Sequence, residues 1–173
     1  MHMFKCRAQP KFFYLNPLPI DAREKMCRHV DALFGTGVSD ILPPTIQFEY
    51  SRRTGRMKNF SLDGKLVGTL RTDGGIALTI AGAQLFLNNS KQFLDNCVVP
   101  VHEAVPFVSE GRSLFCKHVE WCGSNIKVGS DAAIIENNKV IAVGVAILAS
   151  GVMKQYSRGV AVKVRQGIKG RTE

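Results

Sequence analysis

The sequence is short of acidic residues: 14 Asp and Glu stand against 23 Lys and Arg, leaving a formal charge of +9 and a pI near 9.6. Such a chain attracts polyanions, nucleic acid first among them, although an acidic protein or membrane surface would feel the same field. It also lacks a membrane span. The longest apolar candidate, VIAVGVAILASGV from Val140, is broken by glycines and falls short of the roughly 18 residues that cross a bilayer. At the N-terminus, MHMFKCRAQPKFFYLNP has neither the apolar core nor the small-residue cleavage site of a signal peptide, so a cytoplasmic location is expected. Five cysteines, Cys6, Cys27, Cys97, Cys116 and Cys122, form no CxxC pair and no paired-His motif, which argues for buried thiols rather than a disulfide framework or zinc site. Cys116, Cys122 and His118 are three candidate ligands without a second pair, so no metal is expected and no cofactor.

What is present is an ordinary globular composition, with 45% hydrophobic and 21% charged residues, and 173 residues suffice for two compact units. After an extended, proline-punctuated opening, IDAREKMCRHVDALFGTG predicts a helix with Asp21 as N-cap and Gly35 and Gly37 as its stop. Met26, Val30, Leu33 and Phe34 recur at helical spacing and form its core face, whereas His29 beside them is given no role. Beyond Pro43-Pro44 the period becomes two. TIQFEYS alternates Ile46, Phe48 and Tyr50 with polar residues, and KNFSLDGKLVGTLRT predicts two strands joined at Asp63-Gly64. A strand through Ile76, Leu78 and Ile80 and a short helix carrying Ala83, Leu85, Phe86 and Leu87 complete a small α+β unit.

The stretch from Val98 to Val105 reads as a connecting strand, and a second unit begins near Val105. GRSLFCKHVEWCG predicts a short helix with Leu114, Phe115 and Val119 inward. DAAIIENN and KVIAVGVAILA are strands joined at Asn137-Asn138, a short helix follows around Val152 to Tyr156, and GVAVKVRQG alternates Val160, Val162 and Val164 with Ala161, Lys163 and Arg165. So many short strands argue for a small barrel. The expected fold is an α+β domain at residues 1–104 followed by a small, mainly-β pseudo-barrel at residues 105–173.

Between the first two strands lies SRRTGRMKNF, with Arg52, Arg53, Arg56 and Lys58 around a Thr-Gly turn. It is either a solvated hairpin or a phosphate contact. Catalysis finds no such concentration. Asp131 and Glu120 are too few and too far apart for acid–base work, and His102, His118, Cys97 and Cys116 are scattered, so no enzymatic activity is expected.

The ordered elements Gly111-Arg112-Ser113, Val128-Gly129-Ser130-Asp131, AVGVAIL and SRGVAVKVR resemble the PUA domain, an RNA-binding pseudo-barrel named for pseudouridine synthases and archaeosine transglycosylases. The Ser51 to Arg56 turn, the Arg71 to Gly74 turn and Gly82-Ala83 resemble the domain that precedes PUA in archaeal tRNA-guanine transglycosylases. The resemblance covers roughly residues 30–170. The catalytic barrel of that family, with its aspartate nucleophile and zinc site, is not expected in these 173 residues.

The resemblance implies RNA contact by Gly111, Arg112 and Lys117 on one side of a groove and by Lys154, Arg158 and Gly159 on the other. Lys163 and Arg165 would extend the patch, and Arg52, Arg53, Arg56 and Lys58 would add phosphate contacts on the first domain. Trp121 is weighed as a base-stacking platform against a core or domain-interface role. The expected partners are RNA, tRNA through its acceptor stem and 3′ end, together with a catalytic subunit of a tRNA-modifying enzyme. The alternative is a ribosome- or translation-associated adaptor.

Overall fold

The computed structural model describes residues 21–170. The proline-punctuated opening, with Cys6, lies outside them. Helix α1 (Ala22–Phe34) starts where the Asp21 carboxylate accepts the Arg23 N–H and stops at Gly35, whose φ of 117° few other residues adopt. Its buried face is Met26, Val30 and Phe34. Strands β1 (Gln47–Tyr50), β2 (Met57–Leu62), β3 (Lys65–Leu70) and β4 (Ile76–Leu78) form an antiparallel meander in that order. Asp63 and Gly64 both have positive φ (49° and 74°), the type I′ turn that matches strand twist.

Helix α2 (Ile80–Asn89) takes over at Ile80, because Thr79 caps it by accepting the Gly82 N–H; the strand expected to reach Ile80 therefore ends at Leu78. It packs so closely that a Cβ on Gly82 would stand 2.0 Å from the Val67 carbonyl oxygen. Phe34, Phe86 and Phe93 meet below it at centroid distances of 5.4–6.0 Å. Burying each ring contributes on the order of 2–3 kcal/mol.

The second sheet contains β5 (Cys97–Pro100), β6 (Leu114–Phe115), β7 (Val119–Cys122), β8 (Asp131–Glu136), β9 (Lys139–Ala146) and β10 (Val160–Gly167), with short helices α3 (Val105–Ser109) and α4 (Ser150–Met153) between them. The order is β6-β10-β9-β8-β5-β7, antiparallel except for β5 with β8. Its two edge strands, β6 and β7, are separated in the chain only by the 3₁₀ turn Cys116–His118. The sheet must therefore curl until its edges nearly meet, which gives an α+β unit followed by a nearly closed, six-stranded pseudo-barrel.

Two expectations are corrected. Residues 111–123 are strand, turn and strand, not a helix, because Leu114 and Cys116 enter the barrel core at a spacing of two while Phe115 between them stays 48% exposed. Of the stretch from Val98 to Val105 expected as a connecting strand, only the part to Pro100 is strand, and as β5 it lies inside the second sheet between β8 and β7, while His102–Ala104 is a 3₁₀ turn and Val105 begins α3.

Strand β8 is buried on both faces. Ala132 and Ile134 face the barrel core, whereas Ala133 and Ile135 join Val140, Val143 and the phenylalanines of the first unit. A strand covered on both sides reads as an unbroken apolar run, as DAAII does. Polar pins reinforce this seam. Asn96 and Asn125 donate to the last carbonyls of α1, Phe34 and Leu33, at 2.7 and 3.0 Å, and Gln84 of α2 accepts the Val140 N–H at 2.8 Å.

Candidate nucleic-acid interface

At the surface where RNA contact is expected on the barrel, β6 pairs with β10. Phe115 pairs with Val160 and Leu114 with Val162, and the Cys116 N–H donates to the Gly159 carbonyl at 3.0 Å. That pairing brings Cys116 against Gly159, so that Lys117 and Arg158 adjoin the paired residues in sequence; both side chains are exposed, as is Lys154, which closes α4. Gly159 has φ 97° and Gly111 φ 95°, conformations that L side chains rarely adopt. The space where a Cβ on Gly159 would project is empty. Another backbone can come close there.

Arg112 is partly engaged already: its guanidinium lies 5.3 Å from the Phe107 ring centroid and its Nε 3.8 Å from the Glu110 carboxylate. Lys163 is exposed on β10. Arg165 is not brought to this set. It donates to Asp131 at 2.7 and 3.2 Å and to the Leu78 carbonyl at 2.7 Å, while Asp131 accepts the Leu78 N–H at 2.8 Å. Together the two side chains satisfy the N–H and the carbonyl of Leu78, the last residue of β4, which is the edge strand of the first sheet. Phe115, Trp121 and Tyr156 are exposed aromatics on this unit, with Trp121 on edge strand β7, outside both core clusters.

On the first unit, the turn between β1 and β2 is closed by Ser51 N–H to Arg56 O and Gly55 N–H to Ser51 O, both 2.8 Å, with Gly55 at φ 63°. Arg53, Arg56 and Lys58 then line a cleft of about 910 Å³, whose opposite wall is α1 through Lys25 and His29 and whose end is Arg71 of the β3–β4 turn. Arg52 is exposed but does not line it. His29 hydrogen-bonds the Gly74 carbonyl at 2.7 Å, tying α1 to that turn. Lys25, His29 and Arg71 were outside the sequence-based set. The one available signal was the spacing of Ala22, Lys25, Met26 and His29 along a single helical stripe.

The titratable groups describe structure more than chemistry. Asp73, held by the Gly75 N–H and the Arg71 guanidinium, has its carboxyl below the ordinary range. Burial pushes Asp131 up against the opposing pull of Arg165, and pushes the Cys97 thiol up to about 12. Among the described residues, no three His, Cys, Asp or Glu side chains cluster to hold a metal, and no helix is long and apolar enough to cross a membrane.

A nearly closed six-stranded barrel preceded by an α+β unit is a PUA-type architecture. Residues 98–168 match the PUA domain, and residues 30–92 match the patch-forming domain C2 of tRNA-guanine transglycosylase. The chain therefore contains a C2 domain and a PUA domain in tandem and resembles the corresponding part of archaeal tRNA-guanine transglycosylases. It is 32% identical over 153 residues to tRNA-guanine(15) transglycosylase of Methanobrevibacter smithii, and 32% identical over 148 residues to that of Thermoplasma volcanium. These alignments cover 86% and 83% of the chain but only 23% of each transglycosylase. Among solved structures, a hypothetical protein of Pyrococcus horikoshii superposes with a TM-score of 0.66 at 19% identity, over 84% of this chain and 89% of that one. A conserved PUA domain protein of Thermoplasma acidophilum gives 0.60 at 17%, over 85% and 91%. Both share the fold.

Proposed function

We propose that the protein is a non-catalytic RNA-binding protein that grips tRNA by its acceptor stem and 3′ end and serves RNA modification beside a catalytic partner. The observation that supports this reading is the β6–β10 pairing, in which the Cys116 N–H meets the Gly159 carbonyl, so that Lys117 and Arg158 adjoin the paired residues in sequence beside the open backbone of Gly159. Cations there hold phosphates, and a glycine without a Cβ lets a nucleic-acid backbone approach. The net charge of +9 adds long-range attraction. The family resemblance supplies tRNA as the substrate class and RNA modification as the setting, and the chain spans 23% of the length of the transglycosylase it matches. Gly111, whose backbone lies against Gly167 at the far end of β10 from Gly159, extends the contact along that strand in this proposal with Arg112 and Lys163, and Arg52, Arg53, Arg56 and Lys58 add a second contact.

The test is a salt-titrated binding assay with total tRNA, comparing the intact chain with a variant carrying Arg112→Ala, Lys154→Ala and Arg158→Ala. Loss of three phosphate contacts should weaken binding and flatten the log–log salt slope by about 2–3. Removal of the tRNA 3′ end should weaken the wild type further. An unchanged slope would overturn the groove assignment, and co-sedimentation with ribosomal particles without tRNA binding would overturn the tRNA reading.

A further inference from the structure

The cleft of the first unit has more than a phosphate contact requires. Five cationic side chains line it, Lys25, Arg53, Arg56, Lys58 and Arg71, and none of the lining residues is a carboxylate. Of the five, only Arg71 has an ion-pair partner among the described residues. A solvated hairpin would not need a floor, yet here Met26, Met57 and Leu70 provide an apolar one. Tyr50, 48% exposed, stands in the same cleft. It is aimed there by a β-bulge: the β1–β2 register shifts between Glu49 and Tyr50, so that Tyr50 comes to oppose Met57. Bulges of this kind re-aim a side chain at the end of a strand pair.

Apolar floor, exposed aromatic plane and carboxylate-free cationic rim are the three things a nucleotide asks of a site. A base stacks on an aromatic ring, and its phosphates take charge-assisted hydrogen bonds from arginine. The volume lies within the range of about 300–1,000 Å³ usual for small-ligand sites, more than a bare phosphate needs. We infer that this cleft receives one unstacked nucleotide of the bound RNA, its base on Tyr50 and its flanking phosphates on Arg53, Arg56 and Lys58. The inference rests on the RNA-binding reading above and goes beyond it by assigning the first unit a base-contacting site rather than a charge.

The intact chain would be titrated with adenosine monophosphate and, separately, inorganic phosphate, and its tRNA affinity measured in parallel, for wild type, Tyr50→Leu, Tyr50→Phe and the double variant Arg53→Gln/Arg56→Gln. The nucleotide should bind about tenfold tighter than phosphate. Tyr50→Leu should abolish that advantage and weaken tRNA about tenfold, Tyr50→Phe should keep both, and the arginine variant should lose both ligands. Equal binding of nucleotide and phosphate overturns the inference. So does tRNA binding that responds to the groove variant but not to Tyr50→Leu, and in that case the RNA reading survives alone. Nucleotide binding without any tRNA binding overturns the RNA reading and with it the claim that the nucleotide belongs to an RNA chain.

Discussion

Replacing Arg165 by alanine removes three hydrogen bonds and the counter-charge of a carboxylate whose side chain is only 2% exposed. Asp131 would be left with the Leu78 N–H as its partner, and the Leu78 carbonyl would lose its donor. Breaking a buried pair by removing one partner costs about 3–5 kcal/mol. Because Arg165 itself is 36% exposed, the lower end applies. A chain of this size loses about 2–4 °C per kcal/mol, so Tm should fall by roughly 6–12 °C. The pH dependence identifies the cause. Burial already raises the Asp131 pKa, so the folded state holds a proton there more firmly than the unfolded chain does, and the stability this contributes at low pH is lost as pH rises through the folded value. Removing Arg165 raises that pKa further. The deficit of the variant should therefore be largest at neutral pH and shrink on acidification toward the ordinary carboxylate range. Thermal melts followed by circular dichroism from pH 7 to pH 5 would measure both. A Tm within about 1 °C of wild type, together with a loss of tRNA affinity, would refute the reasoning and return Arg165 to the RNA surface.

Other positions give independent outcomes. Gly82→Ala places a Cβ against the backbone of Val67 and should cost about 1–3 kcal/mol, at the upper end because a carbonyl cannot rotate away as a side chain can; urea denaturation would show it. Phe34→Ala opens the three-ring cluster and should cost about 3–5 kcal/mol by the same assay. Cys97, buried and with its thiol pushed up to about 12, should stay silent to a thiol reagent at pH 8 in the native protein and react on unfolding. Gly159→Val should cost about 1–2 kcal/mol through its positive φ and weaken tRNA binding, which a melt and a filter-binding assay would separate.

Local chemistry was legible wherever one residue type forces one backbone conformation. Asp63-Gly64 and Asn137-Asn138 mark hairpins because few residues other than Gly, Asn and Asp accept successive positive φ, and Asp21 with Gly35 marks α1 because capping is local. The error at residues 111–123 has the opposite origin. Leu114, Cys116 and Val119 satisfy a spacing of two and a spacing of three at once, and only the pairing of β6 with β10, some 45 residues away, selects the strand. Arg165 shows the same limit at one side chain. Its outward alternation was readable, but its partner Asp131 lies 34 positions earlier and its acceptor Leu78 lies 87. The cleft likewise joins a helix to a turn some 25 residues further along, a distance that no periodicity spans, which is why the arginines of SRRTGRMKNF were visible and Lys25 and His29 were not.

Because β8 carries one side of each hydrophobic core, the two units share a single packed strand. On the function and the inference proposed above, that strand would set the spacing between the two RNA contacts, and an RNA lengthened by a few base pairs between them would satisfy either contact but not both.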